Sequence, residues 1–253
     1  MISVPQQPKV TSLGENHSKF EILGCYPGYG ATLGNAIRRV LLSSLDGAAA
    51  QSVKIKGVSH EFATIPGVME DVVQLLLNLK QIRFRMHGDE TVKVTIKAKG
   101  EGEVTAGDIK APSSVEIVNP AYKIATLTDK KAELELELEI GKGIGYVPIE
   151  ARDGEDREIG VIALDSIYTP VRRVNYEVEN MRVGKRTDYD KVSIEVVTDG
   201  SITPETAFAK SIDILVGQFE SIRMEQPKEE EAAEEKPKKV AKKAAKKAEK
   251  EEA

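Results

Sequence analysis

Apolar residues recur at three- and four-residue steps in three stretches of the chain, the period of a helix with one buried face. Between 32 and 45 they are Leu33, Ile37, Val40, Leu41 and Leu45, with Thr32 placed to cap the start and Gly47 to stop the helix. From 67 to 82 they are Val68, Val72, Leu75, Leu76 and Leu79, and Glu70 and Asp71 sit where the positive end of the helix dipole favours acids. A third helix opens at Thr203-Pro204-Glu205, a cap followed by proline at the first helical position. Its stripe is Phe208, Ile212, Leu215, Val216 and Phe219, apolar enough to seek a partner. Most of the remaining chain alternates instead. Residues 52–56, 91–97 and 191–197 alternate apolar with polar, and 133–140 does so without a fault, predicting strands with one face buried and one in water. Strands outnumber helices and do not alternate with them one to one, so the expected class is α+β with mainly antiparallel sheets.

The chain has 253 residues, enough for one or two domains, and 40% apolar content is enough to build a core. A formal charge of −5 excludes a polycation that binds nucleic acid along its whole length. With Cys25 as the single cysteine and only His17, His60 and His87 beside it, no internal disulfide and no His/Cys metal cluster is expected. This usage fits a reducing, cytoplasmic compartment. The N-terminus lacks the basic-then-apolar order of a secretory signal, and no aliphatic run approaches the ~20 residues that span a bilayer.

Composition changes sharply at the C-terminal end. Residues 226–253 hold nine lysines and eight glutamates, no aromatic residue, and Val240 as the one large aliphatic. The acids gather in 229–235 and seven lysines in 236–247. Such a segment buries too little apolar surface to offset its chain entropy, so a disordered charged tail is expected. Lys238, Lys239, Lys242, Lys243, Lys246 and Lys247 are its candidates for weak, salt-sensitive nucleic-acid contact.

Catalytic patterns fail one by one. Gly141-Lys-Gly-Ile-Gly145 is glycine-rich, but extended residues follow it where a phosphate loop requires a helix, so a sharp bend between strands is the better reading. His60-Glu61 lacks the second histidine of a zinc protease. Cys25 has no local group to lower its pKa and reads as a buried structural thiol. The acidic loop 153–158 lacks a calcium-binding register, and Asp188 with Asp190 is too few carboxylates for two-metal chemistry. What stands out is Arg38-Arg39 on the first helix. Neighbours point about 100° apart, so at least one guanidinium projects outwards, able to grip a carboxylate with both arms or simply to be solvated.

Gly30-Ala-Thr-Leu-Gly-Asn-Ala-Ile-Arg-Arg-Val-Leu-Leu-Ser-Ser44 closely resembles the first helix of the bacterial and plastid RNA polymerase alpha subunit. So do His60-Glu-Phe-Ala-Thr-Ile-Pro-Gly-Val-Met-Glu-Asp-Val72 with the Lys80 helix end, and Tyr168-Thr-Pro-Val-Arg-Arg-Val-Asn-Tyr176 running into 182–191. Asp199-Gly-Ser-Ile-Thr-Pro-Glu205 is the fourth block. The blocks stand in the family's order across about 225 residues. The resemblance implies a discontinuous dimerisation domain, 1–46 with 168–225, an inserted mostly-β domain at 47–167, and the tail at 226–253. It implies a homodimer formed through Leu33, Ile37, Val40, Leu41, Phe208, Ile212, Leu215 and Phe219, stripes poorly explained in a monomer. Arg38, Arg39, His60, Glu61 and Lys80 would meet the beta and beta-prime subunits, with Arg39 at the beta contact.

The implied role is assembly of a nucleotidyltransferase without a catalytic site or cofactor in this chain. Omega and sigma would join in the full enzyme, which reaches DNA through the complex, in the cytoplasm on the nucleoid. The family's usual helical C-terminal domain has no counterpart after Arg223, where the tail takes its place. Two other readings stand beside this one. One is a homodimeric scaffold or DNA-binding protein acting through its basic tail outside the polymerase; the other is a small enzyme using Cys25 or the 141–145 loop.

Overall fold

The computed structural model describes residues 2–152 and 160–224. In chain order the elements are β1 (Lys9–Gly14), β2 (His17–Cys25), α1 (Tyr29–Ser43), β3 (Asp46–Ile55) and α2 (Val72–Leu79). Next come β4 (Phe84–Met86), β5 (Val92–Lys99), β6 (Gly102–Thr105), β7 (Ile109–Lys110), β8 (Val115–Ile117) and β9 (Lys123–Leu127). The rest are β10 (Glu133–Ile144), β11 (Tyr146–Val147), β12 (Val161–Ala163), β13 (Ser166–Ile167), β14 (Val171–Val183), β15 (Arg186–Thr198) and α3 (Pro204–Ser221). Every strand pairing among the described residues is antiparallel, which makes the fold α+β. The compact unit ends at Gln218; of a second, beginning at Phe219, residues 219–224 are described, the last helical residues and the three that follow.

Two sheets carry two cores within the first unit. One sheet has four strands in the order β1-β2-β15-β14. Its core packs Phe20, Ile22, Val192, Ile194 and Val196 against Ile37 and Leu41 of α1 and Phe208 of α3. The larger sheet runs β7-β5-β10-β3-β4-β8, with β12 also on β3. Alternation predicts its central strand correctly: Leu134, Leu136, Leu138 and Ile140 of β10 are buried together with Val53, Ile96, Leu75 and Leu79. The outward glutamates face lysines across the strands, as in Lys99–Glu133 at 2.9 Å and Lys93–Glu137 at 3.4 Å. Such exposed pairs set register more than they stabilise.

The start of α1 differs from the sequence expectation. The helix begins at Tyr29, and Thr32 lies inside it. Its first amides are satisfied from β15: the buried Asp190 carboxylate accepts from the N–H of Gly28 at 2.9 Å and of Gly30 at 3.0 Å. A carboxylate at this end also favours the helix dipole. Gly30 and Gly34 let the helix lie close on the sheet, since a Cβ on Gly34 would fall 2.6 Å from the Tyr176 ring.

α2 is shorter than its stripe suggested. Asp71 caps it by accepting from Gln74 N–H at 2.7 Å, while the backbone before it pairs with β9, Met69 N–H donating to Thr126 O at 3.0 Å. Glu70 also turns away from the helix, accepting from the Thr126 amide at 2.7 Å and hydroxyl at 2.9 Å. At 141–145 the expected bend is delayed: β10 continues to Ile144 and the turn comes at Gly145. Gly143 has no room for a side chain because the Tyr168 ring lies over it, 2.6 Å from where a Cβ would stand.

The cores are joined by arginines of β4 and the residue before it. Arg85 donates to Ser201 O at 2.9 Å and Gly200 O at 3.0 Å, while Arg83, mostly buried, lies 3.6 Å from the Asp199 carboxylate. This pins the larger sheet to the turn that launches α3.

Gly34→Ala tests the seating of α1. Propensity alone favours alanine by about 1 kcal/mol in a helix. The Tyr176 contact reverses the sign, and overpacking of this kind destabilises by roughly 1–3 kcal/mol. Urea unfolding should show a lower midpoint for the variant; an unchanged or higher midpoint would mean that the helix is free to lift.

Candidate functional site

α1 presents Arg38 and Arg39 outwards, both exposed and neither with an acidic partner among the described residues. The apolar residues behind them serve the protomer itself. Ile37 is 3% exposed and Leu41 0%, and Phe208 stacks on Phe20 with ring centroids 4.3 Å apart. Within the protomer the four-stranded sheet and its two helices already cover these three residues. Leu33, Val40, Ile212 and Leu215 are half-buried, Val216 is exposed, and in the second unit Phe219 is 62% exposed.

A second surface forms around α2. His60 and Glu61 are exposed, and Glu61 opens a groove of about 260 Å³ with Phe62, Val73, Leu76, Leu77, Lys80, Ile149, Leu164 and Asp165. Phe62 is 81% exposed, and Val73 and Leu77 also face outwards, which makes this an uncovered apolar patch. Lys80 is engaged within the protomer. Its ammonium donates to Asp165 Oδ2 at 2.7 Å, and Asp165 Oδ1 accepts from Ile149 N–H at 3.1 Å. Lys80 above all holds the Asp165 carboxyl below the usual range, helped by the Ile149 amide. Behind the pair, Arg152 donates to Leu164 O at 2.5 Å and to the Ser166 hydroxyl at 2.9 Å. Lys80 thus shapes the groove wall. Phe62 and Asp165 escaped sequence reasoning, having no periodicity to mark them. Val73 and Leu77 had a signal: α2 is apolar on more faces than one buried stripe needs.

Cys25, Asp188 and Asp190 are each engaged in structure. Cys25 is buried, and desolvation, then the nearby Asp190 charge, push its thiol pKa up, the opposite of an activated nucleophile. Asp188 is held by the Arg186 guanidinium through two contacts, at 3.0 and 2.6 Å, while Asp190 caps α1, so the two carboxylates do not converge. Among the described residues no group of three His, Cys, Asp or Glu side chains could hold a metal ion. Among them, too, no helix is long and apolar enough to cross a membrane. Loop 153–158 and the lysines from Lys238 to Lys247 lie outside the described residues.

Comparison with known proteins covers most of the chain. A family model described as the RNA polymerase Rpb3/RpoA insert domain matches residues 53–169. The chain is 53% identical over 214 residues to the DNA-directed RNA polymerase subunit alpha of Alkaliphilus oremlandii, covering 83% of this chain and 67% of the relative. It is 52% identical to the subunit of the same name from Symbiobacterium thermophilum, covering 83% and 68%, and 50% identical to that of Clostridium kluyveri, covering 85% and 69%.

The groove wall has a pH signature. Asp165 has a depressed pKa in the folded state, so its pairing stabilises above the unfolded value of about 3.9 and is lost as pH falls through the folded one. Thermal melts of the chain and its Asp165→Asn variant should differ at pH 7 and converge towards pH 3. An equal difference at both would show that the charge contributes nothing.

Proposed function

The chain belongs to the RNA polymerase alpha-subunit family, and from this we propose that it is the non-catalytic assembly subunit of that multisubunit enzyme. In this reading it acts as a homodimer that recruits the beta and beta-prime subunits, with omega and sigma joining the full enzyme. The observation that carries the proposal is the pair of exposed guanidiniums, without an acidic partner among the described residues, on a helix fixed to its sheet at both its first amides and its glycines. A rigid platform presenting bidentate donors suits a carboxylate on a protein partner. Arg39 takes the beta contact and Arg38 lies beside it. The groove walled by Phe62, Leu77 and the Lys80–Asp165 pair, with His60 and Glu61 at its approach, receives a large subunit through apolar contact.

Half-buried Leu33, Val40, Ile212 and Leu215, with exposed Val216, supply the dimer surface, and Phe219 extends the stripe in sequence. Removing such area from water stabilises by on the order of 25 cal/mol per Å². We read the domain limits as 1–46 with 168–225 for dimerisation and 47–167 for the insert; the two hydrophobic clusters fall on either side of these limits. Catalysis and its metal ions belong to the large subunits, the enzyme works in the cytoplasm, and DNA is reached through the complex.

Arg39→Ala separates the roles. The variant should remain a dimer on gel filtration, because the apolar surface is untouched. Affinity capture from lysate should recover beta at least tenfold less well, as expected for a charge-assisted contact of about 1.5–3 kcal/mol. A monomeric variant would move Arg39 into the dimer interface; a dimer with undiminished capture would remove it from the contact.

A further inference from the structure

We propose that the cleft where the two cores meet binds a small organic phosphate with a flat apolar body, of the nucleoside monophosphate class. The cleft encloses about 320 Å³, at the small end of the range for ligand sites. Its floor is apolar, formed by the buried Phe84, Met86 and Pro170 with half-buried Ile202. Its rim is cationic. Arg85 comes from β4, Lys142 from β10 and Lys210 from α3, and exposed His87 lies on the same rim. Asp46 is the single acid among the described residues of the lining.

The rim charges converge. Lys210 Nζ donates to Asp46 Oδ1 at 2.9 Å, and Lys142 acts on the same carboxylate, the two ammoniums together lowering its pKa, Lys210 most. The cleft thus already holds one carboxylate in a field set by two lysines. The remaining acids near the rim are poor competitors for an incoming anion. Asp89, 3.0 Å from Lys142, is 95% exposed, and Glu116, 2.8 Å from Arg85, is also largely solvated; neither lines the cleft. Exposed pairs of this kind contribute little, so the lysines can turn to a ligand with donors to spare, three on each ammonium. A phosphate dianion between Lys142 and Lys210 would leave its organic body over Phe84, Met86 and Ile202. Because these groups come from both cores, an occupant would tie the cores together.

The test uses the full chain with adenosine monophosphate as probe. At saturating concentration it should raise the melting temperature by about 2–4 °C, through preferential binding to the folded state. Adenosine should give no shift, and inorganic phosphate less than half of it. In Lys142→Gln/Lys210→Gln the shift should vanish. Asp46→Asn removes the competing acid and should bind the nucleotide several-fold more tightly by calorimetry, which decides the matter if the double variant fails to fold. No shift with the nucleotide, an equal shift in the double variant, an equal effect of adenosine or of phosphate alone, or unchanged or weaker binding by Asp46→Asn would each overturn the proposal.

Discussion

The close seating of α1 on the four-stranded sheet is the constraint from which the rest follows. Two glycines one helical turn apart, Gly30 and Gly34, lower the helix onto Val178, Asp190 and Tyr176. Gly34, in the interior, weakens the isolated helix by roughly 1 kcal/mol relative to alanine. In exchange Ile37 and Leu41 are fully enclosed, and Asp190 satisfies amides that would otherwise be orphaned at the helix start. The helix therefore cannot roll, and its outward face, with Arg38 and Arg39, is held at a fixed angle to the sheet. A contact residue on a rolling helix would lose much of its binding energy to ordering.

A second fixed relation joins the four-stranded core to the larger sheet. Arg83 and Arg85 tie the larger sheet to Asp199, Gly200 and Ser201, in the turn between β15 and α3. The groove is braced in turn by Lys80, Asp165 and Arg152, which fasten the end of α2 to the segments at 149–152 and 164–166. Polar contacts thus set geometry at the junctions, while the apolar ladders of β10 and β15 supply cohesion. The surfaces left open are the ones that these junctions hold in place.

Local pattern was sufficient wherever one face of an element meets one core. The alternation at 133–140 and the stripe from Phe208 through Leu215 translate directly into β10 and α3. It failed where the determining group is distant in sequence. Nothing near Thr32 reveals that Asp190, some 160 residues away, caps α1. The apolar run before Val72 reads as helix until Thr126 and Leu127 pair with its backbone. A stripe shows that a face is covered but not by which chain, and Ile37, Leu41 and Phe208 are covered within the protomer. Nothing near Lys80 reveals its pairing with Asp165, 85 residues on. Family resemblance filled the gap in role that pattern could not, and geometry then separated exposed candidates such as Arg39 from residues already enclosed.

If this chain is the symmetric platform of the polymerase, its copy number in the assembled enzyme is fixed. Native mass spectrometry of the complex purified through the largest subunit should find two copies of this chain for one beta and one beta-prime. One copy per complex, or no association with the large subunits, would contradict the assembly role.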